Sequence, residues 1–134
     1  MILGYGGENH AGGYLADSIM IASFNPKVGG VTFLSVPRDL YIKKTLGGYG
    51  KINGDYASLY YHYEKDFHQA GSGFASKLTE ITGVPIQYYF MIDFKGFEAF
   101  IDKIGGIDIE VPYDIYDTTY PGPNNSYQLF AITQ

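Results

Sequence analysis

Asp17, Arg38, Asp39 and Lys51 are the residues whose types and spacing could do chemistry together in this 134-residue chain. Arg38, its one arginine, stands in Pro37-Arg38-Asp39 directly after the apolar run Val31 to Val36. Ends of central strands are where sheet proteins place ligand-contacting groups, and a guanidinium offers a planar fork that matches phosphate oxygens. A local salt bridge with Asp39 is the competing reading. Asp17 stands just before another apolar run, Ser18 to Phe24. If the two runs pair as a hairpin, the start of one and the end of the other share an edge, and the carboxylates of Asp17 and Asp39 come close together. Two hard oxygen ligands suit magnesium, which takes one or two carboxylates and completes its octahedron with water and substrate phosphate. A solvated turn would explain Asp17 equally well. Lys51 precedes a helix opening with Ile52-Asn53, where backbone N–H groups also favour anions; ordinary exposed lysines occupy such places too.

The elements that must position these groups follow from periodicity. The runs 18–24 and 31–36 are apolar on both faces, which predicts strands covered on both sides, and the turn signal Asn25-Pro26-Lys27-Val28-Gly29-Gly30 between them predicts an antiparallel hairpin. Ile2 to Tyr5 reads as an opening strand. A glycine-bracketed loop over 46–50 leads into Ile52, Tyr56, Leu59, Tyr60, Tyr63 and Phe67, spaced by three and four as in one amphipathic helix. Gly71-Ser72-Gly73 separates it from a shorter helix carrying Phe74, Leu78 and Ile81, closed by Gly83 and Pro85. Ile86 to Ile92 reads as a strand, and Asp93 as the cap of a helix with the stripe Phe97, Phe100, Ile101 and Ile104. The alternating segment 107–111 reads as a further strand, before an acidic, turn-rich stretch with the loop Tyr120-Pro121-Gly122-Pro123-Asn124-Asn125. Strands interleaved with helices predict an α/β or α+β sandwich with a mixed sheet.

Composition narrows the functions. One domain over 1–134 fits the length, and 46% hydrophobic residues can build a core. Nine basic against fourteen acidic side chains, with no basic run, leave no electrostatic footprint for a nucleic acid. Without cysteine there is neither a disulfide framework nor a thiolate metal site. His62 and His68, six apart on what reads as one helix, point in different directions, and His10 lies in a glycine-rich loop, so the histidines read as filler rather than ligands. Gly4-Tyr5-Gly6-Gly7 lacks the helix that a nucleotide loop should open.

Taken in order, Leu3-Gly4, Ala16-Asp17-Ser18, Asn25-Pro26-Lys27, Val36-Pro37-Arg38-Asp39, Gly50-Lys51-Ile52-Asn53, Gly83-Val84-Pro85-Ile86 with Tyr88-Tyr89, and Asp93-Phe94-Lys95-Gly96-Phe97 through Gly105-Gly106-Ile107 resemble the LytR-CpsA-Psr family over nearly the whole chain. The resemblance implies a three-layer α-β-α sandwich whose mixed sheet and helices enclose a hydrophobic tunnel for a polyprenyl tail. It implies a Mg2+-dependent phosphotransferase that moves a glycopolymer, of the teichoic acid or capsular polysaccharide class, from a polyprenyl-pyrophosphate carrier to peptidoglycan. By position Asp17 and Asp39 would be the magnesium ligands, Asp39 also a base, and Arg38 and Lys51 the pyrophosphate contacts. It further implies the extracytoplasmic face of the cell membrane, through an N-terminal anchor expected upstream, and an arginine cluster with an Arg-Gln-Gln segment expected beyond residue 134. Leu15 departs from the family by occupying the place of an arginine. Two rival readings are hydrolysis of a polyprenyl pyrophosphate, with water as acceptor, and a non-catalytic lipid-binding or transcriptional-attenuator domain.

Overall fold

Strand-forming runs at 2–5, 16–25 and 30–35 build most of one mixed sheet in the computed structural model, which describes residues 1–8, 10–122 and 126–133. The sheet order is β3 (Gly30–Ser35), β2 (Ala16–Asn25), β1 (Ile2–Tyr5), β6 (Phe90–Asp93). β1 runs antiparallel to β2 and parallel to β6, and β2 and β3 form the predicted antiparallel hairpin. A second, short hairpin joins β4 (Tyr41–Lys43) to β5 (Tyr49–Lys51) across the predicted loop. The chain divides into two compact units, Met1–Phe100 and Ile101–Gln134, and the second contains the hairpin of β7 (Ile115–Pro121) and β8 (Tyr127–Ile132).

One face of the sheet carries the core. Leu3 and Ile19 lie opposite each other and are buried with Ile52, Tyr56, Leu59, Phe74 and Leu78 of the helical layer. That layer is α1 (Asn53–His62) packed on α2 (Phe67–Thr82). The predicted single helix from Ile52 to Phe67 is in fact broken at 63–66. Glu64 and Lys65 have positive φ, and Asp66 caps a new helix by accepting from the N–H groups of His68 and Gln69. His62 and His68 therefore lie on different helices. The predicted break at Gly71-Ser72-Gly73 instead lies inside α2, because these glycines are packing residues. A Cβ on Gly71 would stand 2.7 Å from the Tyr89 ring, and Gly73 faces Leu59. Gly83, at φ 71°, ends α2 as expected.

Four further expectations need correction. Phe24, Val31, Phe33 and Leu34 are exposed, because β3 is the edge strand and α1 and α2 cover one face near β1 and the start of β2. The strand predicted from Ile86 shrinks to Phe90–Asp93, and 107–111 forms no strand. The stripe of α3 (Phe94–Lys103) is not buried. Its Asp93 cap is present, with the Gly96 N–H donating to Asp93 Oδ1 at 2.7 Å. Phe94 and Phe97 stand beside Ile2, Gly4 and Ser18 on the sheet face opposite the core, so helices flank the sheet on both faces. Of the predicted loop at 120–125, residues 123–125 lie outside the described residues.

Candidate active site

Asp17 owes its orientation to an irregular pairing. Tyr5 lies opposite Ala16 and Gly4 opposite Ser18, which leaves Asp17 as an extra residue in β2 with no partner on β1. Such a bulge bends the strand and re-aims a side chain. Arg38 and Asp39 follow β3 in a turn closed by the Leu40 N–H donating to the Pro37 carbonyl at 3.0 Å. The turn is tied to the start of α1, since Asn53 N–H donates to the Arg38 carbonyl and Ile52 N–H to that of Leu40. Lys51 ends β5, two residues before α1 begins.

These supports bring the four predicted side chains into one connected group. Arg38 Nη1 is 2.6 Å from Asp17 Oδ1, Arg38 Nε is 3.8 Å from Asp39 Oδ2, and Lys51 Nζ is 2.5 Å from Asp39 Oδ1. All four side chains remain about half exposed, so a ligand can reach them. The Lys51 hydrogen bond, helped by the Lys51 and Arg38 charges, holds the Asp39 carboxyl below the usual aspartate range. Asp39 is thus ionised at neutral pH. Among the described residues no three His, Cys, Asp or Glu side chains gather into a metal-holding group. The donor set is two carboxylates, which fits magnesium, an ion that keeps waters and takes phosphate oxygens for its remaining positions.

The rim borders an apolar cavity of about 280 Å³ whose lining includes Asp17, Ile2, Tyr5, Ile92, Phe94 and Phe97. Gly4 and Ser18 keep it open: they lie opposite each other, and a Cβ on Gly4 would stand 3.2 Å from that of Ser18. Sequence reasoning missed Asp55, the buried acid that organises the β4–β5 loop by accepting from the Thr45 N–H at 2.8 Å and the Thr45 hydroxyl at 2.7 Å. Its place in the first turn of α1 was the available signal.

Comparison with known proteins identifies the family and the fold. A protein named polyisoprenyl-teichoic acid–peptidoglycan teichoic acid transferase TagV, from Bacillus subtilis, is 31% identical over 103 residues, covering 74% of this chain and 24% of its own length. TagU of Bacillus mycoides, which carries the same activity in its name, is 32% identical over 95 residues, 70% of this chain and 28% of the relative. This chain therefore spans about a quarter of these relatives' length. The crystal structure of the transcriptional regulator yvhJ from Bacillus subtilis superposes with a TM-score of 0.63 at 22% identity, covering 83% of this chain and 46% of that one, which shows the fold. An X-ray structure of a Listeria innocua protein gives a TM-score of 0.57 at 25% identity over 98% of this chain and 48% of its own. The LytR_cpsA_psr family matches residues 1–130, and this chain belongs to that family.

Proposed function

We propose that this chain carries the donor-binding rim of a magnesium-dependent phosphotransferase that moves a glycopolymer from a polyprenyl-pyrophosphate carrier to peptidoglycan. The observation that carries the reading is the ion-paired group Asp17–Arg38–Asp39–Lys51. Exposed ion pairs add little stability, so two acids and two cations gathered on an open edge are better explained by an anionic ligand with a divalent ion. The names of the relatives supply the carrier and acceptor classes. The adjoining apolar cavity suits the first units of an isoprenoid tail. The carrier would hold the protein's substrate at the extracytoplasmic face of the cell membrane, where peptidoglycan is built.

In the reaction a sugar hydroxyl of the acceptor attacks the glycopolymer-linked phosphorus. A new P–O bond forms, the P–O–P bridge breaks, and polyprenyl phosphate leaves. Asp17 and Asp39 would hold Mg2+, which supplies neutralisation of charge on the phosphate oxygens. The Arg38 fork and the Lys51 ammonium bind and orient the pyrophosphate. Asp39, which the neighbouring cations keep ionised, is also the candidate base for the hydroxyl proton.

Incubation of the protein with a lipid-linked pyrophosphate donor, a peptidoglycan acceptor and Mg2+ should give a covalent conjugate that Arg38→Ala does not form. Phosphate or monophosphate release without acceptor would instead identify a hydrolase. Tail binding without Mg2+, with no conjugate, would identify a lipid-binding domain.

A further inference from the structure

A second pocket, of about 280 Å³, opens beside residues 6–8 and 10–15, with Glu8, His10, Tyr14, Leu15 and Tyr61 in its wall. These residues are tied to one another. Gly7 N–H donates to the Gly13 carbonyl at 2.8 Å and His10 N–H to the Gly7 carbonyl at 3.2 Å, and a Cβ on Gly13 would stand 1.9 Å from the Gly7 oxygen. The pocket is therefore held open before any ligand arrives, which lowers the ordering cost of binding.

Its chemistry is mixed. Tyr61 is 60% exposed, and the rings of Tyr14 and Tyr60 hold it edge-on, at centroid distances of 6.0 and 5.6 Å. Tyr14 is itself stacked on Tyr60 at 4.2 Å. A fixed aromatic wall suits the C–H face of a pyranose, while a carboxylate, an imidazole and backbone groups suit its hydroxyls. Among the described residues Glu8 is the one acidic or Lys/Arg side chain in this lining, so the pocket favours a neutral ligand over a phosphate. Leu15 in the wall is two residues from Asp17 of the rim, roughly 7 Å of extended chain.

We propose that this pocket is a saccharide subsite, in which Tyr61 stacks on a sugar ring of the acceptor glycan and Glu8 accepts its hydroxyl hydrogens. The assignment rests on the transferase reading for its substrate class. It places the donor tail and the acceptor in separate cavities, one lined by Asp17 of the rim and the other by Leu15, two residues away.

The test titrates the isotope-labelled 134-residue chain with chitotetraose, a linear tetramer of N-acetylglucosamine, and follows the backbone amides by NMR. Shifts are expected at Gly12, Gly13, Leu15 and Tyr61. Tyr61→Ala should weaken binding about tenfold, and Glu8→Gln by a smaller factor. Tyr41→Ala, at an exposed tyrosine of the β4–β5 hairpin, should leave the affinity unchanged. Absence of loop shifts in a well-dispersed spectrum, or equal affinity in Tyr61→Ala, overturns the subsite. Inorganic pyrophosphate with Mg2+, titrated into the same samples, reports separately on Arg38 and Lys51. Pyrophosphate shifts without saccharide shifts sink the subsite and leave the transferase reading standing. Saccharide shifts without pyrophosphate shifts support the subsite and remove the donor half of that reading.

Discussion

Arg38 reaches across 21 positions of chain to set Nη1 2.6 Å from Asp17 Oδ1, while its Nε faces Asp39 at 3.8 Å. One guanidinium thereby spans both acids through different nitrogens. Lysine carries the same charge on a single nitrogen and cannot reproduce the fork. Arg38→Lys and Arg38→Ala are accordingly expected to slow glycopolymer transfer by similar factors, about 10- to 100-fold. Thermal unfolding should hardly change, because the pair is open to solvent. A rate for Arg38→Lys near that of the unaltered protein would show that charge alone is used.

The two carboxylates provide a binding prediction that needs no turnover. Inorganic pyrophosphate with Mg2+ should raise the melting temperature, and EDTA should cancel the rise, since a ligand that binds only the folded state stabilises it. Asp17→Asn removes one hard anionic ligand and should abolish the magnesium-dependent part of the shift. A rise that survives both Asp17→Asn and EDTA would leave only the cations as the anion site.

What could be read from the sequence differs from element to element for physical reasons. The hairpin of β2 and β3 was legible because two apolar runs flank a strong turn signal, and with it the convergence of Asp17, Arg38 and Asp39. The bulge that turns Asp17 out of the sheet was not, since it depends on a one-residue mismatch between β1 and β2 that no local pattern records. The break between α1 and α2 was hidden because Tyr63 and Phe67 keep helical spacing across it, whereas the positive φ of Glu64 and Lys65 has no glycine to announce it. Gly71 and Gly73 misled in the opposite sense: they serve close approach to Tyr89 and Leu59, a tertiary contact that resembles a loop when read locally.

Asp55 predicts a stability effect coupled to the site. Its buried carboxylate satisfies the Thr45 N–H and hydroxyl, so Asp55→Ala leaves a backbone donor unpaired and should cost about 1–3 kcal/mol in urea unfolding. The same change frees the loop between β4 and β5, so Lys51 at the end of that hairpin should lose order. NMR relaxation at Lys51 in Asp55→Ala measures this directly, and an unchanged Lys51 amide would separate the loop from the rim.

Tyr56 predicts a change of opposite sign. Its ring is buried among Tyr5, Tyr60 and Phe74, its hydroxyl has no hydrogen-bonding partner among the described residues, and burial pushes the phenol well above its ordinary pKa. Tyr56→Phe keeps the packing and deletes the stranded polar atom. Unfolding free energy should therefore stay level or rise by about 1 kcal/mol, and a loss of that size would mean that the hydroxyl has a partner in solution.

Asp66 sets a pH dependence at the start of α2. The Gln69 side chain and backbone, and the His68 N–H, hydrogen-bond its carboxylate and hold its pKa below the ordinary 3.8. The folded chain therefore binds this proton less readily than the unfolded one. The resulting stabilisation is fully present above pH 3.8 and is lost as the pH falls through the lowered folded value. Asn caps a helix nearly as well but does not titrate. Urea midpoints should thus favour the unaltered protein over Asp66→Asn at neutral pH, and the gap should close as the pH falls below 3.8 through the lowered folded value. A gap that stays constant through that range would show that the Asp66 charge makes no contribution to the stability of α2.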